Sequence, residues 1–74
     1  MDDFAIRLIR ERNKHKITSA ELARRIDARS SVVWSWENSR VMPTGKLLIK
    51  VCRVLGCSAD YLLGLTDDPQ MRTA

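Results

Sequence analysis

Long apolar runs, low-complexity stretches and glycine-rich loops are all missing from this chain. No segment approaches the roughly 18 consecutive apolar residues of a membrane span, and no signal peptide opens the sequence, so a soluble, cytoplasmic protein is expected. Catalytic equipment is equally sparse. The single histidine, His15, lies in a basic run without a neighbouring carboxylate, and no glycine-rich segment is placed to cradle a phosphate. Neither an enzyme nor a bound cofactor is expected, and so small a chain leaves no room for a small-molecule sensor. Cysteine is limited to Cys52 and Cys57. Their spacing is not CxxC and no secretory signal accompanies them, so they read as reduced thiols in small core positions rather than as a disulfide or metal site. No stretch alternates apolar and polar residues as a half-buried strand does, which leaves an all-α class.

Acidic residues are scarce in the middle of the chain. Net charge over the 74 residues is +4, yet residues 7–50 hold eleven Lys/Arg against four Asp/Glu, a net +7, while the two ends together hold two against five, a net −3. A segregated positive field of this kind suits a polyanionic partner, even though any single arginine could be no more than a solvated side chain. The length allows one small domain with a limited core.

What is present reads as helices. Residues 2–14 carry Phe4, Ala5, Leu8 and Ile9 at helical spacing behind Asp2 and Asp3, acidic residues that favour a helix start. Thr18 and Glu21 form a T-x-x-E capping box, so a second helix begins at Ser19 with Leu22, Ala23 and Ile26 inward. Asp27 and Ala28 make a turn, and a third helix covers about residues 30–38 with Val33 and Trp36 inward. Pro43-Thr44 starts a fourth helix bearing Leu47, Leu48, Val51, Val54 and Leu55, which Gly56 ends. Ser58 can cap a short fifth helix, Ala59 to Leu63, closed by Gly64. Ala23, Ile26, Val33, Trp36 and Glu37 fall at the intervals where two helices crossing steeply must touch, which makes residues 17–38 a helix-turn-helix unit able to place one helix in a DNA groove. The expected architecture is a compact five-helix bundle, with residues 1–66 as the domain and 67–74 as a flexible tail.

With those residues placed, the chain resembles the Cro/CI-type helix-turn-helix family, the DNA-binding domain of phage repressors and small bacterial regulators. ITSAELA stands where that family reads LTQEELA, WENSRVMP where it reads WENGKRKP, and LLIKVCRVLGCSADYLLGL in place of LLKIAKALGVSxDYLLG. The three occur in order at matching spacing over residues 4–66. Departures are informative. Ser19 replaces a glutamine that commonly bridges a phosphate and the recognition helix, Asp27 replaces a turn glycine, and Arg29 replaces a Ser/Thr cap, leaving Ser30 as the candidate cap. Glu11 replaces an apolar residue.

A helix that buries Val33 and Trp36 turns Ser30, Ser31, Trp34 and Ser35 outward, the positions the family uses for base contact, with Arg29 at the leading edge. No Arg, Gln or Asn lies on that face to make a bidentate base contact. Trp34 is the sharpest candidate; protein contact, or cover from Arg and Lys stems, are its other readings. The family's arrangement further implies phosphate contacts from the backbone N–H at the start of the second helix near Ser19, from the side chain or amide of Asn38, and from Arg40 and Lys46, and an ion pair of Arg12 with Glu37 that sets the recognition helix's angle. The function implied is sequence-specific binding of double-stranded DNA by a bacterial or phage-encoded repressor. Homodimerisation through Leu62, Leu63 and Leu65 would place it on two half-sites. The alternative is a protein-interaction module, such as an antitoxin or regulator partner, with weak DNA binding.

Overall fold

The apolar periodicity resolves into five helices. The computed structural model describes residues 3–70 and contains α1 (Asp3–Lys14), α2 (Ser19–Arg25), α3 (Ser30–Glu37), α4 (Gly45–Leu55) and α5 (Ala59–Leu62), with no strand among the described residues. Asp2 and the last four residues of the tail lie outside that range.

Side-chain caps begin three of the helices. The Thr18 hydroxyl accepts from the Glu21 N–H at 3.0 Å, Ser58 from the Tyr61 N–H at 3.0 Å, and Thr44 from the Leu47 N–H at 3.4 Å. Each satisfies a donor that has no partner within its helix. Two cap expectations need correction. The Glu21 carboxylate does not return to the start of α2; it accepts from the guanidinium groups of Arg24 and Arg25 one turn on, two charged donors against one neutral N–H. Nor does Ser30 cap α3. Ser30 is already helical, and the cap position falls to Arg29, whose side chain makes no capping bond.

All five helices end the same way. The N–H of Ile17, Ala28, Arg40, Cys57 and Leu65 each returns to a carbonyl five residues back, on Arg12, Ala23, Ser35, Cys52 and Asp60. This closure demands a left-handed residue just before the donor. Glycine fills that place after α4 and α5, but Lys16, Asp27 and Ser39 adopt it after α1, α2 and α3 with φ of 59°, 58° and 57°. Of these three, Asp27 and Ser39 are legible from the sequence, because each stands where the family it resembles has glycine; Lys16 is not.

The core lies where the inward faces meet. Trp36, Leu8, Leu22, Ile26, Val33, Val51, Leu55, Leu62 and Cys57 are fully buried, with Phe4, Ala23, Cys52 and Tyr61 around them. Helix α2 packs on α3 and α4, and α1 packs on both α3 and α5. Cys52 and Cys57 are free, buried thiols. Burial pushes Cys57 up to about 12, with Cys52 and the buried Glu11 of α1 adding to the effect. Leu62 must be withdrawn from the expected dimer surface, because α5 turns it wholly into the core while Leu63 and Leu65 stay exposed.

Candidate nucleic-acid interface

Helix α3 presents one face to the core and the other to solvent. Val33 and Trp36 anchor the inner face, and Arg29, Ser30, Ser31 and Trp34 lie exposed on the outer one. Trp34 keeps 54% of its surface accessible, a large apolar exposure for a small domain. Ser35 is only partly exposed, and its hydroxyl donates to the Val32 carbonyl at 2.6 Å. It therefore presents lone pairs rather than a free donor.

The angle of α3 is held by a three-residue polar cluster. Arg12 of α1 donates through Nε to Glu37 Oε2 at 2.8 Å and through Nη2 to Oε1 at 3.3 Å. Ser19, the first residue of α2, donates its hydroxyl to the same Oε1 at 2.7 Å. Arg12 also donates to the Ile17 carbonyl at 3.0 Å. One buried carboxylate thus joins α1, the α1–α2 turn, the start of α2 and the end of α3. In such a cluster every charge has a partner, so it constrains geometry strongly and becomes costly only when a member is removed. A second brace comes from α4, where Lys50 Nζ reaches the Ile26 carbonyl at the end of α2 at 3.4 Å.

The four residues expected to contact phosphates are scattered around this frame. Arg40 and Lys46 are exposed, one just after α3 and one at the start of α4, with Arg29 at the opposite end of α3. Asn38 is exposed, but both its amide N–H and its side-chain Nδ2 donate to the Trp34 carbonyl, the latter at 2.9 Å. Ser19 is the most withdrawn, with its hydroxyl held by Glu37. Of the other basic residues, Arg24 and Arg25 share the Glu21 carboxylate, which they hold below its usual range. Arg10, Lys14 and Lys16 remain exposed on and after α1.

Several working residues escaped sequence reasoning. Arg7 donates to the carbonyl of Tyr61 at 2.7 Å, to that of Thr66, and to Asp67 at 2.8 Å, while its guanidinium lies 4.5 Å over the Tyr61 ring. It holds the segment after α5 against α1. The Ser58 N–H reaches the Pro69 carbonyl at 2.8 Å and continues that attachment. His15 Nε2 lies 2.7 Å from the Leu55 carbonyl; a carbonyl only accepts, so this ring nitrogen carries the proton and ties α1 to the end of α4. None of the Arg7 and His15 pairings carries a sequence signal, because each joins residues 40 or more positions apart. Among the described residues no group of three or more His, Cys, Asp and Glu could hold a metal ion, and no helix is long and apolar enough to cross a membrane.

Comparison with known proteins agrees with this geometry. Residues 6–62 match the family described as Helix-turn-helix. An uncharacterised HTH-type transcriptional regulator of Bacillus subtilis, YobD, is 42% identical over 67 residues, covering 89% of this chain and 59% of that protein. Repressor protein C2 of Salmonella phage P22 is 35% identical over 57 residues, covering 77% of this chain and 26% of the repressor. The chain therefore spans well under two thirds of either relative. The crystal structure of the P22 c2 repressor in complex with a synthetic operator superposes with a TM-score of 0.80 at 32% identity, covering 85% of this chain and 96% of that one. The solution structure of the same repressor's DNA-binding domain gives 0.77 at 32% identity, covering 85% and 86%.

Proposed function

The chain belongs to the helix-turn-helix family, and on that premise we propose that it is a sequence-specific DNA-binding domain of a transcriptional repressor, with α3 inserted in the major groove. The observation that carries this reading is the outer face of α3. It is exposed, held at a set angle by Arg12, Glu37 and Ser19, and has an exposed cationic residue beyond each end, Arg29 before it and Arg40 after it. A cytoplasmic repressor needs little more from so small a module. Similarity to a repressor solved on its operator supports the same docking.

In this arrangement Ser30, Ser31 and Trp34 meet base edges, Ser35 accepts from one, and Arg29 serves a guanine or a phosphate. Arg40 and Lys46 neutralise phosphates beside the groove, and Asn38 approaches the backbone from the end of α3. The Ser19 hydroxyl is already on Glu37, so Ser19 contributes through the backbone N–H at the start of α2. A single module of this size buries too little surface to bind tightly, so two copies act on two half-sites about one helical turn apart. Leu63 and Leu65, 40% and 74% exposed at the end of α5, are the apolar residues available for that contact.

Salt dependence and sequence selection test the proposal together. Three cationic contacts per copy, six per dimer, predict a loss of about 10³ in affinity between 50 and 200 mM salt. Selection from a random duplex pool should return a palindrome. Absence of retention at low salt would refute DNA binding and leave a protein-interaction module; a non-palindromic product would refute the dimer alone.

A further inference from the structure

The outer face of α3 holds few groups that can tell one base pair from another. Specific readout in the major groove commonly uses forked donors and acceptors, which Arg, Gln and Asn supply in pairs. None lies on this helix between its ends. The nearest amide side chain, Asn38, is turned back to the Trp34 carbonyl, and the Ser35 proton is held by the Val32 carbonyl. Ser30 and Ser31 are exposed, but a hydroxyl that rotates can donate to or accept from the edge of any base pair, so it discriminates weakly. Arg29 sits at the rim, outside the helix proper.

What remains is the Trp34 indole, more than half exposed on a helix with the exposed Arg29 just before it and the exposed Arg40 just after it in the chain. Its ring is apolar and its one polar group only donates. The major groove offers a single apolar feature, the C5-methyl group of thymine, while every other recognition group there is a donor or an acceptor. Phosphate attraction brings the helix to the groove, and the apolar face of the indole there gains free energy by covering a methyl group.

Resting on the DNA-binding reading above, we propose that Trp34 makes a pyrimidine C5-methyl group the principal base feature this domain reads. Binding therefore discriminates thymine from uracil at one position per half-site, and 5-methylcytosine from cytosine at that same position. The second consequence makes occupancy of a site sensitive to cytosine methylation without any change in base pairing.

The test begins with a duplex obtained by selection with the intact chain. Each thymine is then replaced singly by deoxyuridine, which removes one methyl group and leaves every hydrogen-bonding group in place. At fixed salt, one position per half-site should cost about fourfold in affinity, the worth of one buried methyl, and about sixteenfold when both half-sites are changed. At that position, 5-methylcytosine should bind more tightly than cytosine by a similar factor. Trp34→Ala should lose the thymine preference while keeping the steep salt dependence, and Trp34→Phe should keep part of the preference. The proposal is overturned if no deoxyuridine substitution weakens binding, or if Trp34→Ala discriminates as the parent does. Retained, salt-dependent but methyl-indifferent binding would refute this inference alone; no duplex bound at low salt would refute both it and the DNA-binding reading.

Discussion

Removing the Glu37 carboxylate tests the structural half of this account most directly. Glu37 accepts three hydrogen bonds, two from Arg12 and one from Ser19, and the Arg12 and Glu37 side chains are only 15% and 10% exposed. Glu37→Ala strands the guanidinium in that site with the Ile17 carbonyl at 3.0 Å and Asn13 Oδ1 at 3.3 Å as its remaining acceptors. Breaking a buried pair by deleting one partner costs about 3–5 kcal/mol; the two retained acceptors and residual exposure bring the expected loss to about 2–3 kcal/mol. For a domain of this size that lowers Tm by about 10–20 °C. Thermal melts followed by circular dichroism at pH 7 measure it. Arg12→Met combined with Glu37→Met should melt above Glu37→Ala, because no buried charge is left unpaired and apolar atoms fill the site. A Glu37→Ala protein melting within about 3 °C of the parent, or a double variant as unstable as the sum of its parts, would refute the reasoning.

Three further outcomes follow from other parts of the fold. Gly64→Ala should destabilise more than Gly56→Ala, since both impose positive φ on a Cβ but only the Gly64 one would lie 3.1 Å from Asp3 Oδ2, whereas open space surrounds that of Gly56; Ser39→Gly should be neutral to stabilising by up to about 1 kcal/mol, and urea titrations rank all three. Arg7→Ala should cost about 1–3 kcal/mol by releasing the segment after α5; equal urea midpoints for this variant and the parent would show that the Tyr61, Thr66 and Asp67 contacts do not contribute. Alkaline stability should report Cys57, whose folded thiol keeps its proton up to about 12 while the unfolded one loses it near the ordinary 9.0. The folded state then binds more protons between those values, so stability is complete below about pH 8.5 and falls as pH rises toward 12. Cys57→Ala should show a shallower fall in urea midpoint between pH 8 and 10.5, and parallel slopes would contradict this.

Helix positions were legible because their signals are local. Thr18, Thr44 and Ser58 each cap the helix that follows within three residues, and the spacing of Leu22, Ile26, Val33 and Trp36 depends only on helical pitch. The outward set Ser30, Ser31 and Trp34 follows from the same pitch once Val33 and Trp36 are inward. Leu62 shows where this stops. On a four-residue helix the period is too short to say which of Leu62 and Leu63 is inside, and only packing against α1 decides it. The cap of α3 fails for a related reason. The backbone return from Ala28 to Ala23 sets where the next helix starts, and the serine at residue 30 is already inside it.

The sequence by itself determined the all-α class, the helix-turn-helix and the face of α3 that meets solvent, because each rests on interactions within a few residues of chain. Tertiary structure alone decided how that face is equipped. It committed the Ser19 hydroxyl to Glu37 of α3, braced that carboxylate with Arg12 of α1, and folded the segment after α5 onto Arg7. Hydrogen-bond partners are chosen by proximity in the folded chain, and a polar side chain that looks free in a sequence is free only if the fold brings it no nearer partner.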